Sequence, residues 1–255
     1  MTGLDGAVTL HLAGPVHAAW SDAAAGDLRP AGGGTGNGAA LAAFAAGVAA
    51  PTGASFDEVA WVTQVHGARV VDARHADRAG GPGPVTCRNL GAADALVTGS
   101  PGTALCVLTA DCGPLALASP EGVFAAVHAG WRGLVAGVVE SAVRRMRERG
   151  ATDVTGVLGP CIHAGCYEFG ADELGTVADA YGPTVRATTV TGRPALDLVA
   201  GIAAALTAAG GRLDDVVDVC TACGGGRYSH RARADAGRQA LVVWSTAGAE
   251  TDATA

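Results

Sequence analysis

Val123-Phe-Ala-Ala-Val-His128 is an apolar run closed by one ionisable side chain, and Ala129-Gly-Trp-Arg-Gly133 carries it into a different pattern. A short apolar run bounded by glycine reads as a buried strand. From Leu134 the apolar positions recur at helical spacing. Leu134, Val135, Val138, Val139, Ala142, Val143 and Met146 make one stripe, Arg144, Arg145, Arg147 and Glu148 fall largely outside it, and Gly150 ends it. A strand that ends in histidine, turns on two glycines and enters an amphipathic helix is an α/β unit with its reactive group at the strand end.

Working outward, the segments Ala95–Thr98, Ala104–Thr109 and Leu115–Ala118 are also short, apolar and bounded by Gly, Pro or Asp, and predict further buried strands. Upstream, Ala7–Leu12 and Val16–Trp20 predict a strand pair, Ala23–Gly38 a loop, and Ala39–Ala49 a helix stopped before Pro51. Val59–Val65 and Ala68–Val71 read as strands around a Gly67 turn, with a loop at Gly80–Pro84. Downstream come a strand at Val154–Leu158, helices at Asp172–Tyr181 and Leu198–Ala209 (the second capped by Asp197), and strands at Val216–Cys220 and Ala240–Trp244. No linker divides the chain. The expectation is a mixed α/β (α+β) fold, one domain over residues 1–246 with mixed sheets flanked by helices, and a frayed tail over 247–255.

The bulk composition excludes several functions. With 49% hydrophobic and 16% charged residues the chain is globular, and a net charge of −7 without a basic tract argues against nucleic acid or an anionic membrane as partner. All 17 basic residues are arginine, which rules out a Schiff-base lysine and a Walker-type phosphate loop. Anion contacts then fall to arginine, which binds in bidentate fashion. There is no signal-peptide pattern at the N-terminus and no apolar run long enough to span a bilayer, so the expected setting is cytoplasmic, as a monomer or homodimer. Seven cysteines in such a chain are free thiols, available for metal or chemistry.

Three segments place polar groups at strand ends beside glycine: Thr63-Gln-Val-His-Gly67, Leu108-Thr-Ala-Asp-Cys-Gly-Pro114 and Val127-His-Ala-Gly-Trp-Arg-Gly133. His66, Cys112 and His128 offer two imidazoles and a thiolate. That set suits a catalytic zinc with one open position, and equally a Cys–His nucleophile pair. Arg132 and the start of the following helix would form an anion-handling corner with His128. The spacing alone is not a local metal motif. Cys161, Cys166, Cys220 and Cys223 admit a four-thiolate zinc site, although buried, unreactive thiols are the preferred reading; Cys87 and Cys106 are expected to be inert. Arg227, Arg231, Arg233 and Arg238 cluster late in the chain, as a solvated loop or as phosphate contacts.

The sequence resembles the YfiH-type proteins, also called the laccase-domain or polyphenol oxidase family, peptidoglycan editing factors and FAMIN-like purine nucleoside enzymes. The resemblance rests on Gln64-Val-His-Gly67, Ala93-Asp-Ala-Leu-Val-Thr98, Thr109-Ala-Asp-Cys112, His128-Ala-Gly-Trp-Arg-Gly133, Gly159-Pro-Cys-Ile162, Cys166-Tyr-Glu168 and Cys220-Thr-Ala-Cys223. A fainter match runs through Tyr228-Ser-His-Arg231 and Gly237-Arg238. It implies zinc on His66, Cys112 and His128, with copper a less favoured metal. It also implies phosphorolysis of adenosine, inosine and methylthioadenosine, and deamination of adenosine. In that reading Asp111 is a proton carrier, and Arg132, Arg231 and Arg238 hold phosphate or nucleoside. The family names also carry a Cys–His hydrolase or amidase acting on peptidoglycan precursors and a copper phenol oxidase, and a non-enzymatic zinc module is a further alternative. The chain departs from the pattern in four places. The N-terminal Arg-x-Gly-Gly-Val-Ser segment is replaced by Ser21-Asp-Ala-Ala-Ala-Gly-Asp-Leu-Arg29, Asn-Arg by Asn37-Gly38, Thr-Gly-Arg by Ala236-Gly-Arg238, and a glycine by His163.

Overall fold

Strands buried on both faces read as continuous apolar runs, and such strands form the centres of two sheets here. A computed structural model describes residues 6–30, 38–74 and 84–247. All of the expected loop at Gly80–Pro84 but Pro84, the tail after Ala247 and most of the glycine-rich part of Ala23–Gly38 lie outside the described residues.

The first sheet has six strands. It contains β1 (Ala7–His11), β2 (Val16–Ser21), β3 (Glu58–Thr63), β5 (Thr86–Ala92), β7 (Thr103–Thr109) and β14 (Gln239–Ser245), in the spatial order β1-β2-β14-β7-β3-β5. The second sheet also has six: β4 (Val70–Asp72), β6 (Ala95–Thr98), β8 (Gly113–Ala118), β9 (Phe124–Ala129), β10 (Thr155–Leu158) and β13 (Arg212–Val216), in the order β13-β10-β8-β9-β6-β4. A two-stranded ribbon, β11 (Arg186–Thr188) and β12 (Pro194–Leu196), completes the strands. The helices are α1 (Ala39–Ala49), α2 (Trp131–Val135), α3 (Val138–Glu148), α4 (Ala171–Tyr181), α5 (Leu198–Ala208) and α6 (His230–Arg233).

The period-2 alternation of side chains sorts the core into three layers. Leu105, Val107, Leu241 and Val243 of the first sheet meet Leu96, Ala116, Phe124 and Ala126 of the second in the middle layer. The alternate residues Val59, Ala104, Cys106 and Val242 face Leu41, Ala45 and Val48 of α1. On the far side, Val97, Leu115, Leu117 and Val127 face Leu134, Val139, Val143 and Met146 with Ile202 of α5. The result is four layers, helix on sheet on sheet on helices. Trp20 ties the two sheets together: its Nε1–H donates to the Pro114 carbonyl at 3.1 Å, and a Cβ on Gly159 would lie 2.0 Å from its indole.

The expected helix after His128 is two helices. Gly137 takes φ +87° between α2 and α3, a left-handed conformation that breaks the ladder while keeping the apolar stripe on one side. The strand expected at Val216–Cys220 lies upstream, at Arg212–Val216, because β13 takes its register from β10; Cys220 keeps only an isolated bridge to Cys161. The strands either side of Gly67 do not pair with each other, since β3 and β4 belong to different sheets. The strand β5 lacks apolar alternation, with Arg88 and Asn89 at its centre, so the pattern of Thr86–Ala92 carried no strand signal. Asp197 does cap α5, accepting the Ala200 N–H at 2.9 Å.

Candidate metal centre and active-site cleft

The topology explains why three residues far apart in sequence meet. β3, β5 and β7 run parallel in the first sheet, so their C-terminal ends lie along one edge. After each of them the chain crosses to the second sheet, into β4, β6 and β8. The crossings carry Gln64–Gly67, Ala93–Asp94 and Ala110–Cys112. β9 is antiparallel to both β6 and β8, so its C-terminal end, with His128, arrives at the same edge.

The local backbone fits that geometry. His66 takes φ +59° and Asp111 φ +99°, both unusual for residues with a Cβ. The His66 turn is held by Asp94, which is fully buried. Its Oδ1 accepts the His66 N–H at 2.8 Å, and its Oδ2 accepts Gly67 N–H at 2.7 Å and Val65 N–H at 3.3 Å. Oδ1 also takes His128 Nδ1–H at 2.9 Å, which fixes the ring and leaves Nε2 as its free ligand atom. Gln64 pins the other side of the turn, donating to the Leu108 carbonyl at 2.6 Å and accepting the Leu108 N–H at 2.9 Å.

The ligand atoms of His66, Cys112 and His128 all lie within 4.8 Å of one another. His66 Nε2 is 3.8 Å from Cys112 Sγ, and the two imidazoles meet edge-on with centroids 4.8 Å apart. Gly130 makes room for them: a Cβ there would lie 2.8 Å from His66 Cδ2 and 2.9 Å from Cys112 Sγ. Burial pushes the Cys112 thiol up, but the facing His128 and His66 rings outweigh it and bring it to about 6. Burial likewise pushes His128 down, and the Cys112 charge and Asp94 carboxylate outweigh that, taking it to about 9. Asp94 is held below its usual range despite burial, by His128 and by the Gly67 and His66 N–H groups. The lowered thiol and the raised imidazole both favour a thiolate–imidazolium pair when no metal is bound. Two imidazoles and a thiolate, converging with one side open to a cleft, make a donor set that fits a zinc-type ion.

The cleft has a volume of about 580 Å³ and is lined at its base by His66, Cys112 and the buried His128. Arg132, Arg231 and Arg238 line it, with Arg29, Trp131, Tyr167 and His230. Arg132 is exposed, lies over the Trp131 ring at 4.3 Å and makes no side-chain hydrogen bond among the described residues. Arg231 lies over Tyr167 at 4.7 Å, with one guanidinium N–H on the Glu168 carbonyl. Arg238 spends one nitrogen on the carbonyls of residues 235–237. Arg227 and Arg233 face elsewhere. Arg227 pairs with Asp22, and Arg233 holds the Thr221, Ala222 and Arg227 carbonyls. The anion corner expected at the start of a long helix is reduced, because α2 is only five residues long. Asp111 is buried, and its carboxylate is occupied by the Thr221 hydroxyl and the Arg231 N–H, each at 2.6 Å.

Asp94 and Arg29 are among the residues at the site that the sequence did not single out. Asp94 stood inside a noted motif, but only its position between crossing strands reveals its role. Arg29 reaches the cleft through the altered N-terminal segment, clamped by Asp27 at 2.6 Å. The preferred reading of four buried thiols holds for Cys161 and Cys220 but not for half-buried Cys166 or exposed Cys223, and the alternative four-thiolate group is reduced to three. Cys166, Cys220 and Cys223 come together, while Cys161 is fully buried in the core with its thiol pushed far up by burial. Burial also pushes Cys87 up, to about 11, and Cys106 well above its usual value.

Fold and site together define a mixed α/β protein with a His–Cys–His group, able to hold a metal ion, at the foot of an arginine-lined cleft. Residues 37–246 match the family described as multi-copper polyphenol oxidoreductase laccase, and the chain belongs to that family. Among its relatives, a purine nucleoside phosphorylase of Streptomyces coelicolor is 44% identical over 191 residues, covering 73% of this chain and 74% of the relative. One from Mycobacterium tuberculosis is 40% identical over 211 residues, covering 81% and 80%. The crystal structure of the Bacillus licheniformis hypothetical protein YfiH aligns with a TM-score of 0.72 at 25% identity, over 90% of this chain and 92% of that one. YlmD from Geobacillus stearothermophilus shares the fold, with a TM-score of 0.70.

Proposed function

We propose that this chain is a zinc-dependent purine nucleoside phosphorylase that also deaminates adenosine. The observation that carries the reading is the convergence of His66, Cys112 and His128 beneath a cleft lined by Arg132, Arg231, Arg238 and Arg29. The relatives named purine nucleoside phosphorylase support the substrate class. The substrates would be adenosine, inosine and methylthioadenosine with inorganic phosphate, handled in the cytoplasm without nucleic acid or membrane. Among the described residues no helix is long and apolar enough to cross a membrane.

In phosphorolysis a phosphate oxygen bonds to ribose C1′ as the C1′–N9 bond breaks, and the electron pair leaves with the purine, which takes up a proton. The chain's part is mainly electrostatic. Arg132 and Arg231 hold the phosphate dianion, while the Trp131 and Tyr167 rings wall the cleft against water. In deamination water replaces the C6 amino group, which leaves as ammonia. Zinc on His66, Cys112 and His128, when bound, supplies a Lewis acid at the cleft floor. Asp94 keeps His128 in the ligating tautomer, and Asp111 holds Thr221 and the Arg231 backbone in place. Copper is the less favoured ion: His11 and His17 sit on the β1–β2 pair, with His17 stacked on Trp244, and so do not extend the triad.

The test is to incubate the zinc-loaded protein with adenosine, with and without phosphate. Adenine and ribose 1-phosphate should form only with phosphate, and inosine in either case. The lowered Cys112 thiol favours one second reading, a Cys–His hydrolase. Labelling of Cys112 by an acyl probe in protein carrying full zinc would favour that reading over the first.

A further inference from the structure

A second cluster of cysteines stands apart from the His–Cys–His group. Cys220-Thr-Ala-Cys223 forms a tight knuckle closed by Gly224, whose N–H donates to the Cys220 carbonyl at 2.8 Å and where a Cβ would lie 2.5 Å from that oxygen. The knuckle turns backbone N–H groups onto one sulfur: His163 N–H reaches Cys220 Sγ at 3.4 Å, and the Ala222 and Cys223 amides point at it too. Cys166 joins from the single 3-10 turn Ala164–Cys166. The three sulfurs lie within 4.8 Å of one another, with Cys220 buried, Cys166 half-buried and Cys223 exposed. The backbone around them is fixed from outside. Cys220 bridges to Cys161, Thr221 N–H donates to the Cys161 carbonyl at 3.0 Å, and Arg233 holds the Thr221 and Ala222 carbonyls.

We propose that Cys166, Cys220 and Cys223 form a second metal site, for a thiophilic d10 cation of the zinc class, with its fourth position open to solvent beside Cys223. Three converging sulfurs are a soft donor set, which selects such ions over calcium or magnesium. The His163 N–H on Cys220 Sγ is the kind of outer contact that holds a metal-bound sulfur in place. The site also has a consequence for the cleft. Thr221 lies inside the knuckle, and its hydroxyl holds Asp111 at 2.6 Å, next to Cys112. An ion on the three thiolates would therefore fix the loop that positions Asp111, and through it the Arg231 backbone.

The test counts metal in the full chain. Wild type is loaded with zinc under reductant and desalted, then compared with Cys223→Ser, Cys166→Ser and Cys112→Ala. The proposal expects Cys223→Ser and Cys166→Ser each to hold one zinc fewer than wild type, with circular dichroism unchanged. It also expects Cys112→Ala to keep the zinc that they lose. Cobalt loading gives a second readout: the thiolate-to-cobalt absorbance should lose its larger share in Cys223→Ser and its smaller share in Cys112→Ala. Zinc content unchanged in Cys223→Ser would overturn the site, as would a Cys220–Cys223 or Cys166–Cys223 disulfide that takes up no zinc after reduction. If zinc disappears with Cys223→Ser while Cys112→Ala changes nothing, the second site stands and zinc at the first falls.

Discussion

Replacing Asp94 with asparagine removes one charge and converts one acceptor into a donor, at a fully buried position that accepts four N–H groups. If the new amide oxygen takes the place of Oδ1, His128 and His66 keep neutral partners while the NH2 group faces the Gly67 and Val65 N–H groups. If it takes the place of Oδ2, the NH2 group faces His128 Nδ1, which must then give up its proton to Nε2 and lose the ligating tautomer. Either way at least one charge-assisted hydrogen bond is lost, worth about 1.5–3 kcal/mol. Losing the carboxylate behind a metal-bound histidine typically costs about 10–100-fold in metal affinity. Asp94 holds the His66 turn as well as the His128 ring, so we expect the upper end, about 100-fold or roughly 2.7 kcal/mol. Zinc affinity by chelator competition measures this, in a Cys223→Ser background so that one class of site is read. Asp72→Asn, which loosens only the Arg145 and Arg149 pairs, serves as the control. An Asp94→Asn protein that folds and binds zinc within about three-fold of its parent would refute the reasoning.

Further expectations follow from the same geometry. Gly130→Ala drives a methyl against His66 and Cys112 and should cost about 1–3 kcal/mol in stability together with zinc affinity, read by thermal melting and chelator competition. In metal-free protein, alkylation of Cys112 followed by peptide mapping should rise as pH climbs through about 6 and then level off, because the thiolate is already formed; a profile still rising through pH 8.5 would contradict the imidazolium–thiolate pair. Arg132→Ala should lower kcat/KM for phosphate by about 10–150-fold, the worth of a charge-assisted contact, while Arg212→Ala, paired with Asp214 and Asp153 away from the cleft, should not.

The strands of the middle layer were legible because burial on both faces leaves an unbroken apolar run, as in Thr103–Thr109 and Gly113–Ala118. The strand β5 was not, since its pairing with β3 is set by the sheet and not by its own side chains. The break at Gly137 was hidden for the opposite reason, because the apolar stripe continues across it. At the site, His66, Cys112 and His128 were readable as reactive groups beside glycines, but their meeting depends on three parallel strands crossing between sheets at one edge, which no local spacing encodes. Asp94 is invisible for the same reason, lying 34 residues from the ring it orients. The segment that replaces the N-terminal motif ends in Arg29, which stands in the cleft wall beside its Asp27 partner, a placement that its local sequence does not encode.

The most direct test is phosphate-dependent release of hypoxanthine from inosine by the zinc-loaded chain, set beside Cys112→Ala at equal concentration. The account predicts hypoxanthine and ribose 1-phosphate in equal amounts from the wild type, only when phosphate is present, and a rate lower by at least about 100-fold in the variant. No turnover by the zinc-loaded wild type, or undiminished turnover by Cys112→Ala, would contradict it.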